Sequence, residues 1–270
     1  MGSKRQGVKP EAAPTAERIA KRLARAGLCS RREAERWIAA GRVRVDGKVL
    51  DSPALNVTAK SRIEVDGKPL AAPEPTRLWR YHKPKGLVTT NNDPEGRPTV
   101  FQRLPERLPR VLSIGRLDLN TEGLLLLTND GELARFLELP STGWRRRYRV
   151  RVHGEVDEGA LAKMAGGVSI GGMKYDAIEA RLDGRKGANA WLSLSLTEGK
   201  NREIRRIMEH LGLQVTRLIR LSYGPFQLGD LPRGDVAPVP RRILRDQLGA
   251  NAARFGLTGV EGDAHRRRQA

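Results

Sequence analysis

The sequence predicts an α+β fold in two parts. A small N-terminal module of two helices and a strand should precede a larger domain, in which helices flank a mixed, mainly antiparallel sheet. Three observations lead to this prediction: apolar residues recur at helical spacing before the first hairpin signals, a proline-containing linker follows, and the later strand patterns do not alternate one-for-one with helical ones. With 270 residues the chain is long enough for two cores.

The N-terminal module begins after a polar, basic segment, residues 1–14, which we interpret as a disordered arm. Apolar residues at helical spacing predict a helix over Thr15–Ala26. A second helix should begin at Ser30, where Glu33 completes a capping-box pattern, and should end near Gly41.

Hairpin signals complete this module. Val43 and Val45 alternate with arginines and lead into an Asp-Gly pair at 46–47, and a second Asp-Gly pair stands at 66–67. The module should therefore cover residues 15–70. Pro73 and Pro75 indicate a linker over residues 71–76.

The larger domain should cover residues 77–250 and form a sheet with helices around it. Its strands are predicted at Leu78–Tyr81, Leu124–Thr128, Tyr148–Val152, Tyr175–Leu182, Trp191–Leu196 and Val215–Leu221. Its helices are predicted at Glu132–Leu139, Glu158–Met164, Arg202–Leu211 and Arg241–Leu248. We expect residues 251–270 to form a basic, disordered tail.

The charge balance indicates a polyanionic partner. Fifty Lys and Arg against 31 Asp and Glu give a formal charge of +19, which favours nucleic acid or an acidic membrane surface. No segment approaches the roughly 18 consecutive apolar residues of a membrane span, and no signal peptide is evident. The single cysteine, Cys29, excludes an intrachain disulfide. We therefore expect a cytoplasmic protein without membrane contact.

The N-terminal module concentrates positive charge. Residues 18–44 contain nine Lys or Arg and two acids, which on two helices and a strand would form one cationic face. A solvated helix surface explains the charge equally well. Residues 26–34 (AGLCSRREA) and 41–47 (GRVRVDG), however, resemble the RNA-binding module named after ribosomal protein S-four. The resemblance implies phosphate contacts from Arg31, Arg32, Arg42 and Arg44.

Residues 115–128 (GRLDLNTEGLLLLT) carry the most informative pattern in the chain. An Arg and an Asp stand two apart in a glycine-bounded loop, directly before a strongly apolar strand. A carboxylate presented this way can act as a nucleophile, a base or an electrostatic stabiliser. On spacing alone, the more common outcome is that Asp118 caps a turn or pairs with Arg116.

Four ordered motifs resemble those of the RsuA-type pseudouridine synthases, which modify ribosomal RNA. They are residues 83–86 (KPKG), 115–128, 147–150 (RYRV) and 198–206 (EGKNREIRR). Residues 92–101 (NDPEGRPTVF) resemble the branch of the family that acts on the large subunit. The family often has Lys two residues before the tyrosine, where this chain has Arg146, a change that keeps the charge but not a compact amine.

The resemblance implies a role for each motif residue. Asp118 would act on the uridine, and Arg205 would hold its carboxylate ionised and aimed, although Arg205 could instead be one more RNA-facing charge. Tyr148 would stack on the extruded base, where the alternative is a core aromatic. Further contacts with RNA are expected from Arg116, Lys83, Lys200 and Arg202. For the two lysines, simple surface exposure remains an equal alternative.

Three functional hypotheses remain. The first is isomerisation of one uridine in large-subunit ribosomal RNA, by a monomer that needs neither a metal nor an organic cofactor. The second is a noncatalytic RNA-binding or ribosome-assembly factor, which would have no need of Asp118, Tyr148 and Arg205 together. The third is the same chemistry on small-subunit RNA.

Overall fold

The computed structural model describes residues 16–258, which divide into two compact units on either side of the bond between Glu74 and Pro75. The predicted basic arm, residues 1–14, and the predicted tail from residue 259 onward lie outside the described residues. No helix within residues 16–258 is both long and apolar enough to cross a membrane.

The first unit is a small α+β module around its own core. Its elements are β1 (Glu17–Arg18), α1 (Ile19–Arg25), α2 (Arg31–Ala39), β2 (Val43–Val45), β3 (Lys48–Val49), β4 (Asn56–Val57), β5 (Ile63–Val65) and β6 (Lys68–Pro69). Ile19, Leu23 and Ile38 of the helices pack against Val43 and Ile63 of the sheet. Burial of these side chains supplies the driving force for the module.

Two predicted local signals are present in this unit. The Ser30 hydroxyl accepts a hydrogen bond of 3.1 Å from the Glu33 amide at the start of α2. At the tips of the β2–β3 and β5–β6 hairpins, Asp46 and Asp66 have φ of 51° and 52° and the following glycines also have positive φ. Two successive positive φ values are what a two-residue type I′ turn requires.

The second unit is built on a large sheet with helices on both faces. Its strands are β7 (Leu78–Lys83), β8 (Leu112–Ile114), β9 (Glu122–Thr128), β10 (Arg146–His153), β11 (Val168–Ile170), β12 (Met173–Tyr175), β13 (Glu179–Lys186), β14 (Asn189–Leu196), β15 (Gln214–Tyr223), β16 (Phe226–Gln227) and β17 (Val236–Pro238). Its α-helices are α3 (Gly131–Glu138), α4 (Glu158–Lys163), α5 (Glu203–His210) and α6 (Arg241–Leu248).

The sheet is mixed and mainly antiparallel, as predicted. Its strand order is β13-β14-β10-β15-β9-β7-β17, with β8 and β16 added at β9 and β15. The pairing of β9 with β15 is parallel, whereas the other ladders of this sheet are antiparallel. The parallel junction brings the loop before β9 next to the centre of β15.

The two faces of this sheet are covered differently. On one face, α4 and α5 pack on β10, β13 and β14, and the segment 87–117 packs on β7 and β9. We call this the cleft face. On the opposite face, α3 and α6 cover β7, β9 and part of β15. Alternation along the strands therefore decides which residues can reach the cleft.

Three boundaries predicted from the sequence are wrong. The first helix covers Ile19–Arg25, because residues 17–18 pair with β4 instead. The strand predicted at Tyr175–Leu182 is interrupted at residues 176–178, where the chain passes from the small β11–β12 hairpin into β13. Residues 251–258 are ordered against the core, since Phe255 and Leu257 are buried.

Candidate active site

The loop that carries Asp118, residues 115–121, is fixed through its backbone. All five carbonyl oxygens from residue 117 to residue 121 accept hydrogen bonds. The donors are the Thr89 hydroxyl at 2.8 Å, the Lys83 ammonium at 3.0 and 2.9 Å, the Gly86 amide at 2.9 Å, the Thr121 amide at 3.0 Å and the Arg205 guanidinium at 2.9 Å. The loop therefore presents its side chains from a rigid backbone.

Lys83 is not the phosphate contact expected from the sequence, nor an exposed lysine. Its side chain is fully buried, and its ammonium donates to the carbonyls of Pro84, Asp118 and Thr121. A buried ammonium with three carbonyl acceptors is a structural group, since each of its three protons has a partner. Burial lowers the pKa of Lys83 to about 8.

The Asp118 carboxylate itself is free of such contacts. Its side chain is half-buried, and among residues 16–258 it forms no ion pair within 4.0 Å and accepts no hydrogen bond. Its negative charge favours the cationic forms of Lys83 and Arg205 electrostatically. It lines a cleft of about 780 Å³, large enough for a nucleotide-sized group. A rigid backbone and an unengaged carboxylate are what a reactive group needs.

The cleft brings together most of the residues that the motifs singled out. Besides Asp118, its lining includes the predicted site residues Arg116, Tyr148, Lys200, Arg202 and Arg205. These come from three separate motifs, on the 115–121 loop, on β10 and at the start of α5. The tertiary structure therefore brings residues that are far apart in the sequence together in one cleft.

Arg205 does not form the expected ion pair with Asp118. One of its guanidinium nitrogens donates to the Asn120 carbonyl at 2.9 Å, and the other donates to the Val215 carbonyl at 3.3 Å. Burial lowers the pKa of the guanidinium. Arg205 thus contacts the loop through the backbone carbonyl two residues after Asp118 and not through the carboxylate.

Tyr148 is both a core residue and a cleft residue. Its side chain is 9% exposed and packs with Val150 and Leu218, yet it lines the cleft. Lys200 is already engaged, by the Glu198 carboxylate at 2.5 Å and the Lys174 carbonyl at 2.6 Å. Arg116 and Arg202 are exposed and make no ion pair within the described part of the chain.

Unsatisfied polar atoms concentrate in this cleft. Among residues 16–258, five buried side-chain atoms have no hydrogen-bond partner, and four of them belong to cleft residues: Thr121 Oγ1, Glu203 Oε1, Arg205 Nε and one terminal nitrogen of Arg220. Buried polar atoms usually have partners, so such a cluster is typical of a site that binds a polar ligand.

Three residues that line the cleft were not among the site residues predicted from the sequence: Arg220, Arg146 and Glu203. Arg220 is 2% exposed, donates to the Leu124 carbonyl at 2.7 Å and lies over the Tyr223 ring. Arg146 donates to the carbonyls of Thr197 and Glu198 and also lies over Tyr223. Its planar fork serves contacts that a compact amine would not match.

Glu203, the third, is a buried acid at the start of α5. One of its carboxylate oxygens accepts a hydrogen bond of 2.9 Å from the Lys200 amide. Burial raises the pKa of Glu203 to about 7. Since the Lys200 amide lies three residues before Glu203, this contact closes the 200–203 turn at the start of the helix.

The fold and this cleft define an RNA-modifying enzyme of the pseudouridine synthase class. Residues 77–210 match the family model described as RNA pseudouridylate synthase, and residues 17–63 match the S4 domain. The chain belongs to the pseudouridine synthase family. The prediction of this family, which the sequence analysis based on four motifs, is therefore confirmed.

Named relatives agree with this membership. The chain is 48% identical to an RNA pseudouridine synthase of Rickettsia bellii, over 85% of this chain and 99% of the relative. It is also 48% identical to ribosomal large subunit pseudouridine synthase B of Salmonella typhimurium, over 81% of this chain and 77% of the relative. A crystal structure of a pseudouridylate synthase superposes with a TM-score of 0.59 at 26% identity, over 84% and 97% of the two chains.

Proposed function

We propose that this pseudouridine synthase isomerises a specific uridine of large-subunit ribosomal RNA, as a monomer in the cytoplasm. The unengaged carboxylate of Asp118, held by a loop whose five carbonyls from residue 117 to residue 121 all have partners, is the observation that carries the chemistry. The choice of ribosomal RNA rests on relatives named for the large subunit. From the stretch 92–101, which resembles that branch, Asn92, Asp93, Pro94 and Arg97 line the cleft.

The reaction needs no co-reactant. The N1–C1′ bond breaks, the uracil ring turns, and a C5–C1′ bond forms, while C5 loses one proton and N1 ends with one. An ionised carboxylate at Asp118 can stabilise positive charge at the anomeric carbon or bond to it, as in glycoside chemistry. The hydrogen-bonded backbone of the loop orients the carboxylate, because only the two side-chain torsions of Asp118 remain free before the substrate binds.

The target base has to leave its stack before it can reach Asp118, at a cost of a few kcal/mol. Tyr148 offers the part of its ring that lines the cleft to the extruded uracil. Arg116, exposed beside Asp118, can occupy the vacated stack or hold the neighbouring phosphate. Arg202 and Lys200 also line the cleft and can serve as further phosphate contacts, for which Lys200 would have to exchange its Glu198 partner.

The S4 module supplies affinity for RNA by charge. Arg31, Arg32 and Arg44 are exposed and make no ion pair with any described residue. Arg42 differs, since its guanidinium is bidentate to Asp66 at 2.9 and 2.6 Å and stacks on Trp37. We expect the first three arginines to contact phosphates and Arg42 to contribute less, because its charge is already neutralised.

Replacing Arg31 and Arg32 together with Gln should reduce the salt dependence of RNA binding. Each lost phosphate contact lowers the slope of log K against log salt by roughly 0.7–0.9, so the double variant should lose about 1.5. Filter binding over a range of KCl concentrations measures the slope. Arg42→Gln is the comparison and should change the slope by less. An unaltered slope in the double variant would show that this helix does not touch RNA.

The activity should fall as the pH rises through about 8. Above its pKa, Lys83 loses one of the three protons that hold the loop, so one of the three carbonyls loses its donor. The folded-state pKa lies below the ordinary 10.5, so the unfolded chain binds more protons between these values. Unfolding free energy should therefore rise over the same interval in which kcat falls.

Single-turnover rates and urea unfolding between pH 7 and pH 10 measure the two quantities. Lys83→Met should be slow and should lack the alkaline decline, whereas Lys163→Met, an exposed lysine on α4, should keep it. If the decline persisted in Lys83→Met, a different group would be responsible.

The proposed substrate is tested by mapping pseudouridines in ribosomal RNA from cells with and without the gene. One large-subunit position should lose its pseudouridine in the deletion strain and regain it with the wild-type gene, but not with an Asp118→Asn copy. A loss confined to small-subunit RNA would contradict the choice of subunit. No change in either RNA would contradict the ribosomal substrate.

A further inference from the structure

The sheet face opposite the cleft carries a row of arginines beyond the cover of α3 and α6. Arg147, Arg149 and Arg151 alternate on β10 with the buried Tyr148 and Val150, so they all point away from the cleft. All three are exposed. Arg217 on β15 stands directly opposite Arg151 in the ladder. We call these four residues the arginine face.

Stability alone does not account for this arrangement. Like charges directly opposite each other on a sheet are destabilising, and Arg151 and Arg217 are such a pair, although Arg217 also pairs with the buried Glu122. Arg147, Arg149 and Arg151 make no ion pair with any residue in the range 16–258. The acids at the β13 edge are engaged by other arginines, Asp183 by Arg181 and Glu179 by Arg145.

The guanidinium groups are nevertheless held in place. Arg147 donates to the Ser222 hydroxyl at 3.1 Å and to the Gln227 side chain at 2.9 Å. Arg149 lies 4.6 Å from the centre of the Trp191 ring. All three partners are neutral, so they orient the guanidinium groups without cancelling their charge.

A buried carboxylate extends the cluster toward β9. Glu122, whose side chain is 3% exposed, pairs with Arg217 at 3.0 Å, Arg233 at 3.2 Å and Lys85 at 3.7 Å. These three cations are 37%, 57% and 46% exposed, so one negative charge gathers three positive ones at the surface. The arginine face therefore continues as a positive surface up to the loop before β9.

We propose that the arginine face is a second RNA-binding surface, which holds the phosphate backbone of the substrate RNA on the side of the sheet away from the cleft. Oriented guanidinium forks match phosphate oxygens, and a surface with more cations than acids matches a polyanion. The inference rests on the proposed RNA substrate but not on the role of Asp118. It makes the enzyme's binding footprint wider than the cleft and adds contacts that specify no base.

The test uses the full chain with Arg149→Gln and Arg151→Gln combined, and an in vitro transcript of large-subunit ribosomal RNA as the probe. The slope of log K against log salt should fall by about 1.5, and affinity at moderate salt should fall roughly five- to tenfold. The rate at saturating RNA should stay unchanged, because neither residue lines the cleft. The melting temperature should not fall. The variant loses the stacking of Arg149 on Trp191, but it also loses the like-charge repulsion at Arg151, and the second effect offsets the first.

A matched control removes the same charge elsewhere. Arg242 and Arg254, both exposed on the C-terminal helical segment, are replaced with Gln, and the salt slope should stay at the wild-type value. The inference is overturned if both double variants bind the RNA alike, which would leave an acidic protein as the partner of this face. It is also overturned if the loss of affinity comes with a lower melting temperature. Failure of the proposed function would instead appear as no turnover in the wild type.

Discussion

Replacing Asp118 with Asn should lower the rate of pseudouridine formation by roughly 10⁴-fold or more, the scale seen when the central reactive group of an enzyme is removed. The substitution keeps the shape of the side chain and removes its charge. No described residue depends on that charge for a hydrogen bond or ion pair, so the substitution should leave the stability of the fold unchanged. RNA affinity should stay near the wild-type value, because the binding cations are untouched.

Single-turnover assays on an RNA substrate measure the rate, and filter binding measures the affinity. Asp230→Asn, at an exposed position outside the cleft, is the control for loss of one carboxylate and should be as active as the wild type. Turnover within tenfold of the wild type in Asp118→Asn would show that another group performs the chemistry.

Gly123→Ala should destabilise the second unit by about 3 kcal/mol or more, a cost typical of forced backbone strain at a packed position. Gly123 has φ of 103°, a conformation that L side chains rarely adopt. A Cβ there would lie 2.3 Å from the carbonyl oxygen and 2.7 Å from the amide nitrogen of Arg220. Both atoms belong to the backbone of the parallel partner strand, so neither can give way without separating β9 from β15.

Urea unfolding measures the change in free energy. Gly184→Ala is the control, since Gly184 also lies in a strand of this sheet but a Cβ there meets nothing within 4 Å. The control should change stability by less than about 0.5 kcal/mol, as is usual for surface substitutions. Equal unfolding free energies for the two variants would refute the packing argument.

Local patterns carried most of the fold. The capping hydroxyl of Ser30, the Asp-Gly turns and the alternation of residues 191–196 are short-range signals, and the structure contains the elements that they predicted. The short strands β8 and β17 were missed because three residues carry too little periodicity. Residues 251–258 were misjudged because Phe255 is buried by packing in one cluster with residues of α6, a tertiary contact that the composition of this segment does not reveal.

The site was only partly visible in the sequence. Motif residues lie together in one cleft, but their contacts depend on partners far along the chain. Lys83 stands 35 residues from Asp118 and its burial has no local signal, so its part in holding the loop could not be separated from a surface role. The same holds for Arg220, whose hydrogen bond spans 96 residues. Only packing decides whether a cation is buried or exposed.

The most direct measurement maps pseudouridines, at nucleotide resolution, in an unmodified large-subunit ribosomal RNA transcript incubated with the purified protein. The account predicts pseudouridine at one uridine with the wild type, and none with Asp118→Asn at the same protein concentration. Pseudouridine at that position in both reactions would contradict it.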